Sequence, residues 1–298
     1  MSAYATPRAL EMALKAAAKA SPLDTNRAIA NFYFHRLLCR IFHEQDSAFV
    51  LKGGLGLLAR TTDARYTRDI DLATREPDAQ AAIEELERRA ATDLNDFVSF
   101  RLAYYTSIRV EDAYRAGYRI VFDAFLGAKH LQSISVDLVA DPIGVGTPDI
   151  ITPADRIDVA GVPVCDYPIY PSEKALADKV CGIMELHNGH ASSRVKDLVD
   201  IVIYARNVFL ESDKLTLALK RETGSRKLVL EGGFRLPPEW DATQERQYAK
   251  LVERTGIPQE LRCMQAAEAL AQQLIDPCLG TPHSHKLWNP TLLQWELA

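Results

Sequence analysis

With 298 residues, 47% of them apolar and 25% charged, the chain has the composition of a globular protein long enough to bury a core without disulfide or metal staples. Its five cysteines, at 39, 165, 181, 263 and 278, form no CxxC pair, which argues against a disulfide framework and a structural zinc site and makes a reducing cytoplasm the default compartment. A net charge of -5 does not point to nucleic acid, although it says nothing about local basic patches. The alanine-rich start lacks a signal-peptide run, and no window reaches the unbroken apolar length of a membrane span, so no membrane partner is expected.

In chain order, residues 5–20 and about 25–43 are predicted helices, the second opened by Ser21-Pro22 with Asp24 or Thr25 as cap. Ala48-Phe49-Val50-Leu51 is a short apolar run ending in Lys52-Gly53-Gly54, which predicts a buried strand entering a tight turn and then a short helix over 54–60. A polar loop over 61–68 leads to Asp69-Ile70-Asp71-Leu72, strand-like in its alternation, and Pro77 opens a helix over about 78–92. Three β-rich stretches follow at 97–109, 118–125 and 133–139, then the loop 142–148 and an apolar stretch at 159–169. From Pro171 the periodicity turns helical, at 172–187, 194–206, about 212–221, 241–254 and 258–275. The tail from Pro277 shows no periodicity and is expected to be loosely ordered. This divides the chain into N-terminal helices (1–47), an α/β core (48–168), a helical region (169–280) and a tail (281–298).

The chemistry is concentrated in Lys52-Gly53-Gly54 and in Arg65-Tyr66-Thr67-Arg68-Asp69-Ile70-Asp71-Leu72. On a strand Asp69 and Asp71 share one face, about 7 Å apart, while Ile70 and Leu72 enter the core. Two carboxylates so placed can hold two magnesium ions, which in two-metal phosphoryl-transfer sites sit roughly 3.5–4 Å apart. A glycine pair lets backbone approach phosphate oxygens, and a following helix presents free N–H groups to them. Alone, a DxD is usually a solvated strand edge and a GG only a turn. Together in the order strand, GG, helix, loop, DID they are far more specific, because a half-buried strand has little structural reason to put two like charges on one face. Asp137, in Ser133-Ile134-Ser135-Val136-Asp137-Leu138-Val139, is a third candidate ligand if its strand lies beside the DID strand; an acid at a strand end is the equal alternative.

These motifs resemble the AbiEii toxins of type IV toxin–antitoxin (abortive infection) systems, a branch of the DNA polymerase beta nucleotidyltransferase superfamily. The resemblance runs from Lys52-Gly53-Gly54 through Arg65-x-Thr67-x-Asp69-Ile70-Asp71 to Tyr170-Pro171-Ser172-Glu173-Lys174-Ala175-Leu176-Ala177-Asp178-Lys179 and Arg194-Val195-Lys196-Asp197-Leu198-Val199-Asp200, over residues 49–206. It implies an α+β fold, with a mixed-sheet nucleotidyltransferase core packed against a helical C-terminal region. It implies magnesium, a nucleoside triphosphate as substrate, transfer to a tRNA 3′ end or another RNA, and a cognate antitoxin protein. By the same resemblance Asp69 and Asp71 are metal ligands, Lys179 contacts the triphosphate and Asp197 is an essential acid. Gly53, Gly54, Arg65 and Thr67 join Lys179 in nucleotide binding.

From the residues alone, Lys179 lies on an apolar helix face with Leu176, Val180 and Ile183, where it needs an anionic partner or snorkels to solvent. Asp197 and Asp200 share a helix face and could pair with Lys196 or Arg194. Leu55 follows the glycines where the family often has Thr or Ser, and Asp137 fits the third acidic position loosely. His187 and His190 flank Asn188-Gly189, a helix-ending signal, so a loop is favoured over a zinc site. The expected activity is nucleotidyl transfer. The alternatives are a small-molecule (antibiotic) acceptor, a non-catalytic nucleotide-binding toxin, and a metal-dependent nuclease that would leave the glycine turn without a job.

Overall fold

The computed structural model describes residues 3–44, 46–67, 69–108, 117–141, 146–186, 189–230, 232–280 and 285–297. The chain divides into two compact units, one of Met1–Arg60 with Thr67–Tyr170, the other of Thr61–Tyr66 with Pro171–Ala298. The fold is α+β.

In the first unit, α1 (Pro7–Ala20) is capped by Thr6 with a proline in its first turn, and α2 (Thr25–Ile41) by Asp24, whose carboxylate accepts from the Asn26 and Arg27 amides. They precede β1 (Phe49–Lys52), α3 (Gly53–Arg60), β2 (Ile70–Thr74), α4 (Ala79–Ala90), β3 (Val98–Ile108), β4 (Gly117–Leu126), β5 (Lys129–Ala140), β6 (Asp149–Ile151) and β7 (Tyr167–Ile169). The strands form a seven-stranded mixed sheet in the order β3-β4-β5-β2-β1-β7-β6. One sheet face, with Leu51, Ile70, Leu72, Ile120, Phe122, Val136 and Leu138, shares an apolar cluster with Leu10 and Leu14 of α1, Phe32 and Leu37 of α2, and Ile83 and Leu86 of α4. Each such side chain, fully buried, contributes about 1.5–3 kcal/mol.

Arg36 and Arg40 are buried on α2 because Asp96 accepts from Arg36 Nε at 2.6 Å and from Arg40 Nη2 at 2.6 Å. Burial would raise the Asp96 carboxyl, but Arg40 and Arg36 outweigh it and hold it below its usual value. Of the apolar stretch at 159–169, only Tyr167–Ile169 is a strand. Arg109, the end of the first β-rich stretch, lies outside the described residues.

The second unit holds α5 (Ser172–Met184), α6 (Val195–Asn207), β8 (Leu210–Glu211), α7 (Ser212–Arg226), α8 (Ala242–Val252), α9 (Met264–Ile275), β9 (Lys286–Asn289) and β10 (Gln294–Leu297). α7 runs beyond the expected 221 and stops where Lys227 turns left-handed at φ 53°. The tail departs from expectation. β9 and β10 form a hairpin that adds to β8 in a three-stranded sheet, and Trp288 is fully buried with Nε1 donating to the Ala205 carbonyl at 2.6 Å. Long-range burial of one indole anchors a segment whose sequence carries no period.

Candidate active site

The turn after β1 needs glycine. Gly53 has φ 66°, a backbone region that L side chains avoid, and a Cβ placed on it would fall inside the Asp71 carboxylate, 2.6 Å from Cγ. The backbone of the turn and the carboxylate on β2 therefore meet at closest packing. In β2, Ile70 and Leu72 are buried while Asp71 turns to the opposite face; Asp69 stands exposed one residue before the strand. β5 lies parallel beside β2 with Asp137 directly opposite Asp71. Strand spacing puts their backbones about 4.8 Å apart, with both carboxylates on one face.

Register carries the row further. Lys52 is opposite Asp71, and Arg119 of β4 is opposite Asp137, so four strands present Lys52, Asp71, Asp137 and Arg119 side by side. Arg119 donates from Nε and Nη2 to the two Asp137 oxygens, each at 2.8 Å. Asp137, then Asp69 and Asp71, raise the guanidinium above its usual value, which places all three acids within its field. The Lys52 ammonium sits 5.0 Å from the centre of the Tyr170 ring.

The sequence marks Lys52 only as part of the glycine motif, with no role of its own, and does not mark Arg119 at all. The signal for Arg119 is its register opposite Asp137, which a sequence does not print.

Oxygen donors of this kind suit magnesium. No group of three His, Cys, Asp or Glu side chains among the described residues is arranged to hold a metal ion. Arg119 holds both oxygens of Asp137. Asp137 could join a metal site only when Arg119 yields.

Gly53, Gly54, Thr67, Asp69, Asp71 and Asp137 all belong to the first unit, where Gly53 and Asp137 meet Asp71, whereas Arg65, Lys179 and Asp197 belong to the second. There, Lys179 does not snorkel; it is 6% exposed and donates to Asp200 Oδ2 at 2.6 Å and to Asp197 Oδ1 at 3.2 Å. Arg65 grips the same Asp200 with Nε at 2.8 Å and Nη2 at 3.0 Å. Arg194 lies 3.6 Å from Asp197 Oδ2, the pairing expected from helix spacing. Asp200 is therefore the centre of the network, tying the Arg65 segment to α5 and α6. His187 lies outside the described residues, and His190 is exposed.

Burial would raise the Asp200 carboxyl, but Lys179 and Arg65 outweigh it and hold it below its ordinary 3.8. A depressed folded pKa contributes stability that is complete above the unfolded value and lost as pH falls through the folded one. The stability difference between wild type and Asp200→Asn should therefore be constant above about pH 5 and shrink below 3.8. Denaturant midpoints measured against pH check this, and a difference unchanged in acid would count against it.

A mixed sheet that sets carboxylates of adjacent strands against a glycine turn is the framework of a nucleotidyl-transfer enzyme. The family model described as Nucleotidyl transferase AbiEii toxin, Type IV TA system matches residues 36–262, and the chain belongs to that family. It is a nucleotidyltransferase of a toxin–antitoxin class. Among solved structures, a candidate nucleotidyltransferase from H. pylori is 14% identical, with a TM-score of 0.45 over 88% of this chain and 100% of that one. JHP933 from Helicobacter pylori is 12% identical, with a TM-score of 0.43 over 85% and 94%. No curated protein matches the chain. No described helix is long and apolar enough to cross a membrane.

Proposed function

We propose that the enzyme transfers a nucleoside monophosphate from a nucleoside triphosphate to the 3′ hydroxyl of an RNA, with tRNA as the acceptor class, and that this transfer is its toxic activity. The observation that carries the reading is the placement of Asp71 against both Gly53 and Asp137, with Asp69 beside them. The acceptor oxygen bonds to the α-phosphorus, the bridging bond to the β-phosphate breaks, and pyrophosphate leaves with that electron pair. Asp69 and Asp71 would hold two magnesium ions, which supply charge neutralisation to the triphosphate and acidify the attacking hydroxyl.

The Gly53-Gly54 backbone approaches the phosphates, with the Thr67 hydroxyl as a further donor. Lys179 serves the triphosphate by exchanging its longer bond, to Asp197, for a phosphate oxygen, and Asp197 then accepts the acceptor's proton or orients it. Arg65 supports this by holding Asp200, the other partner of Lys179. The cognate antitoxin restrains the activity in a cytoplasmic setting.

Purified protein incubated with each labelled triphosphate and total cellular RNA should label a small RNA, and Asp69→Ala should not. In cells, wild type should arrest growth while Asp69→Ala or Asp71→Ala, at matched protein level, does not. Equal arrest by all three would instead favour a toxin that binds nucleotide without transferring it. The net charge of -5 favours a small-molecule acceptor as the second reading, tested by labelling a metabolite or antibiotic fraction in place of RNA.

A further inference from the structure

Beside the row of Asp71, Asp137 and Arg119 runs a second one on the same sheet face. Ile70 pairs with Val136, so Asp69 borders Ser135; Ser135 is opposite Val121, and Val121 is opposite Tyr104 of β3. Tyr104 reaches this face because the β3–β4 register shifts between Leu102 and Tyr104. Leu102 is opposite Phe122, which belongs to the apolar cluster on the helix-covered side. Plain alternation would point Tyr104 that way too. One extra residue, Ala103, turns it to the acidic face instead, as bulges beside active sites commonly do.

Tyr105 shows the contrast. It is opposite Ile120 on the helix-covered side and donates its hydroxyl to Gln80 of α4 at 3.3 Å. Tyr104, 58% exposed, is a large aromatic surface left to solvent. Between it and the acids lie Val121, an apolar floor, and the Ser135 hydroxyl, which is buried and has no hydrogen-bond partner among the described residues. Arg119, with 47% of its side chain exposed, is the cation on the neighbouring row.

We propose that Tyr104 is a base-stacking subsite for the single-stranded 3′ end of the acceptor RNA, which lies across β4 and β5 with its terminal hydroxyl at Asp69 and Asp71. This rests on the proposed transfer to RNA and adds where the acceptor binds. Three strand spacings separate β2 from β3, about 14 Å. At about 3.4 Å per stacked nucleotide, and more when stretched, no more than about four nucleotides span it. The base on Tyr104 thus belongs to the unpaired end of the acceptor. Bases stack on aromatic side chains whatever their sequence, so the subsite selects single-stranded nucleic acid over a small-molecule acceptor.

The test uses the full chain and a short 5′-fluorescein single-stranded RNA with a free 3′ hydroxyl, read by fluorescence anisotropy. Tyr104→Ala should weaken binding about tenfold or more, while Tyr104→Phe and Tyr105→Ala bind as wild type does. Binding of a fluorescent triphosphate analogue should be unchanged in all of them. Wild-type RNA affinity in Tyr104→Ala, or an equal loss in Tyr105→Ala, would overturn the subsite and leave the transfer reading standing. A wild-type chain that transfers nucleotide but binds no RNA would overturn both.

Discussion

Gly53→Ala is expected to lower nucleotidyl transfer by about 10²-fold while leaving a folded protein, because an error of about 1 Å in a reacting group is enough for that loss. The methyl group would collide with the Asp71 carboxylate and push it from the position it holds beside Asp137. The left-handed backbone at φ 66° adds a destabilisation of about 1–2 kcal/mol. Gly189→Ala separates the two effects. Gly189 also has a positive φ, 80°, but nothing lies within 4 Å of its added Cβ. That variant should therefore show the stability loss without the loss of transfer. Steady-state transfer assays and thermal melts on both proteins check the pair, and wild-type transfer by Gly53→Ala would remove the turn from the site.

Asp200→Ala is expected to destabilise the second unit by about 3–5 kcal/mol, since removing one partner of a buried ion pair leaves the other charge uncompensated. Two cations lose Asp200 together. Lys179, 6% exposed, keeps the longer bond to Asp197, and Arg65 loses both of its bonds to Asp200. The carboxylates now hold the Lys179 ammonium well above its ordinary value against the burial that would lower it. Adding Lys179→Met should recover much of the loss, because it withdraws the orphaned charge and fills its space with a flexible apolar chain. Denaturant unfolding of the two variants measures this. An Asp200→Ala protein as stable as wild type would show that the network is not what holds the Arg65 segment to α5 and α6.

Some of this is legible in the residues themselves. Ile70 and Leu72 are buried and Asp71 is turned away from them because a strand alternates its faces, a property local to a few residues. The glycine after Lys52 signals a turn because only glycine enters that backbone region freely. The motif order that identifies the family is likewise local, each piece complete within a single turn, strand or helix. The Asp24 and Asp78 caps follow from rules that span three residues.

What the tertiary structure alone decided is which distant residues meet. Asp137 as the neighbour of Asp71 depends on β5 lying parallel beside β2, and Arg119 on the antiparallel register of β4. Register is set by loop closure and by the packing of a whole sheet, so no window of sequence contains it. Tyr104 faces the acids because of one bulged residue, which moves every later side chain of β3 to the opposite face. Lys179 finds its anions on α6 and shares one of them, Asp200, with Arg65, 135 positions earlier, a pairing that helix spacing within α6 could not foretell. The tail is ordered by the burial of Trp288 against α6, and such burial depends on a surface the tail itself does not encode.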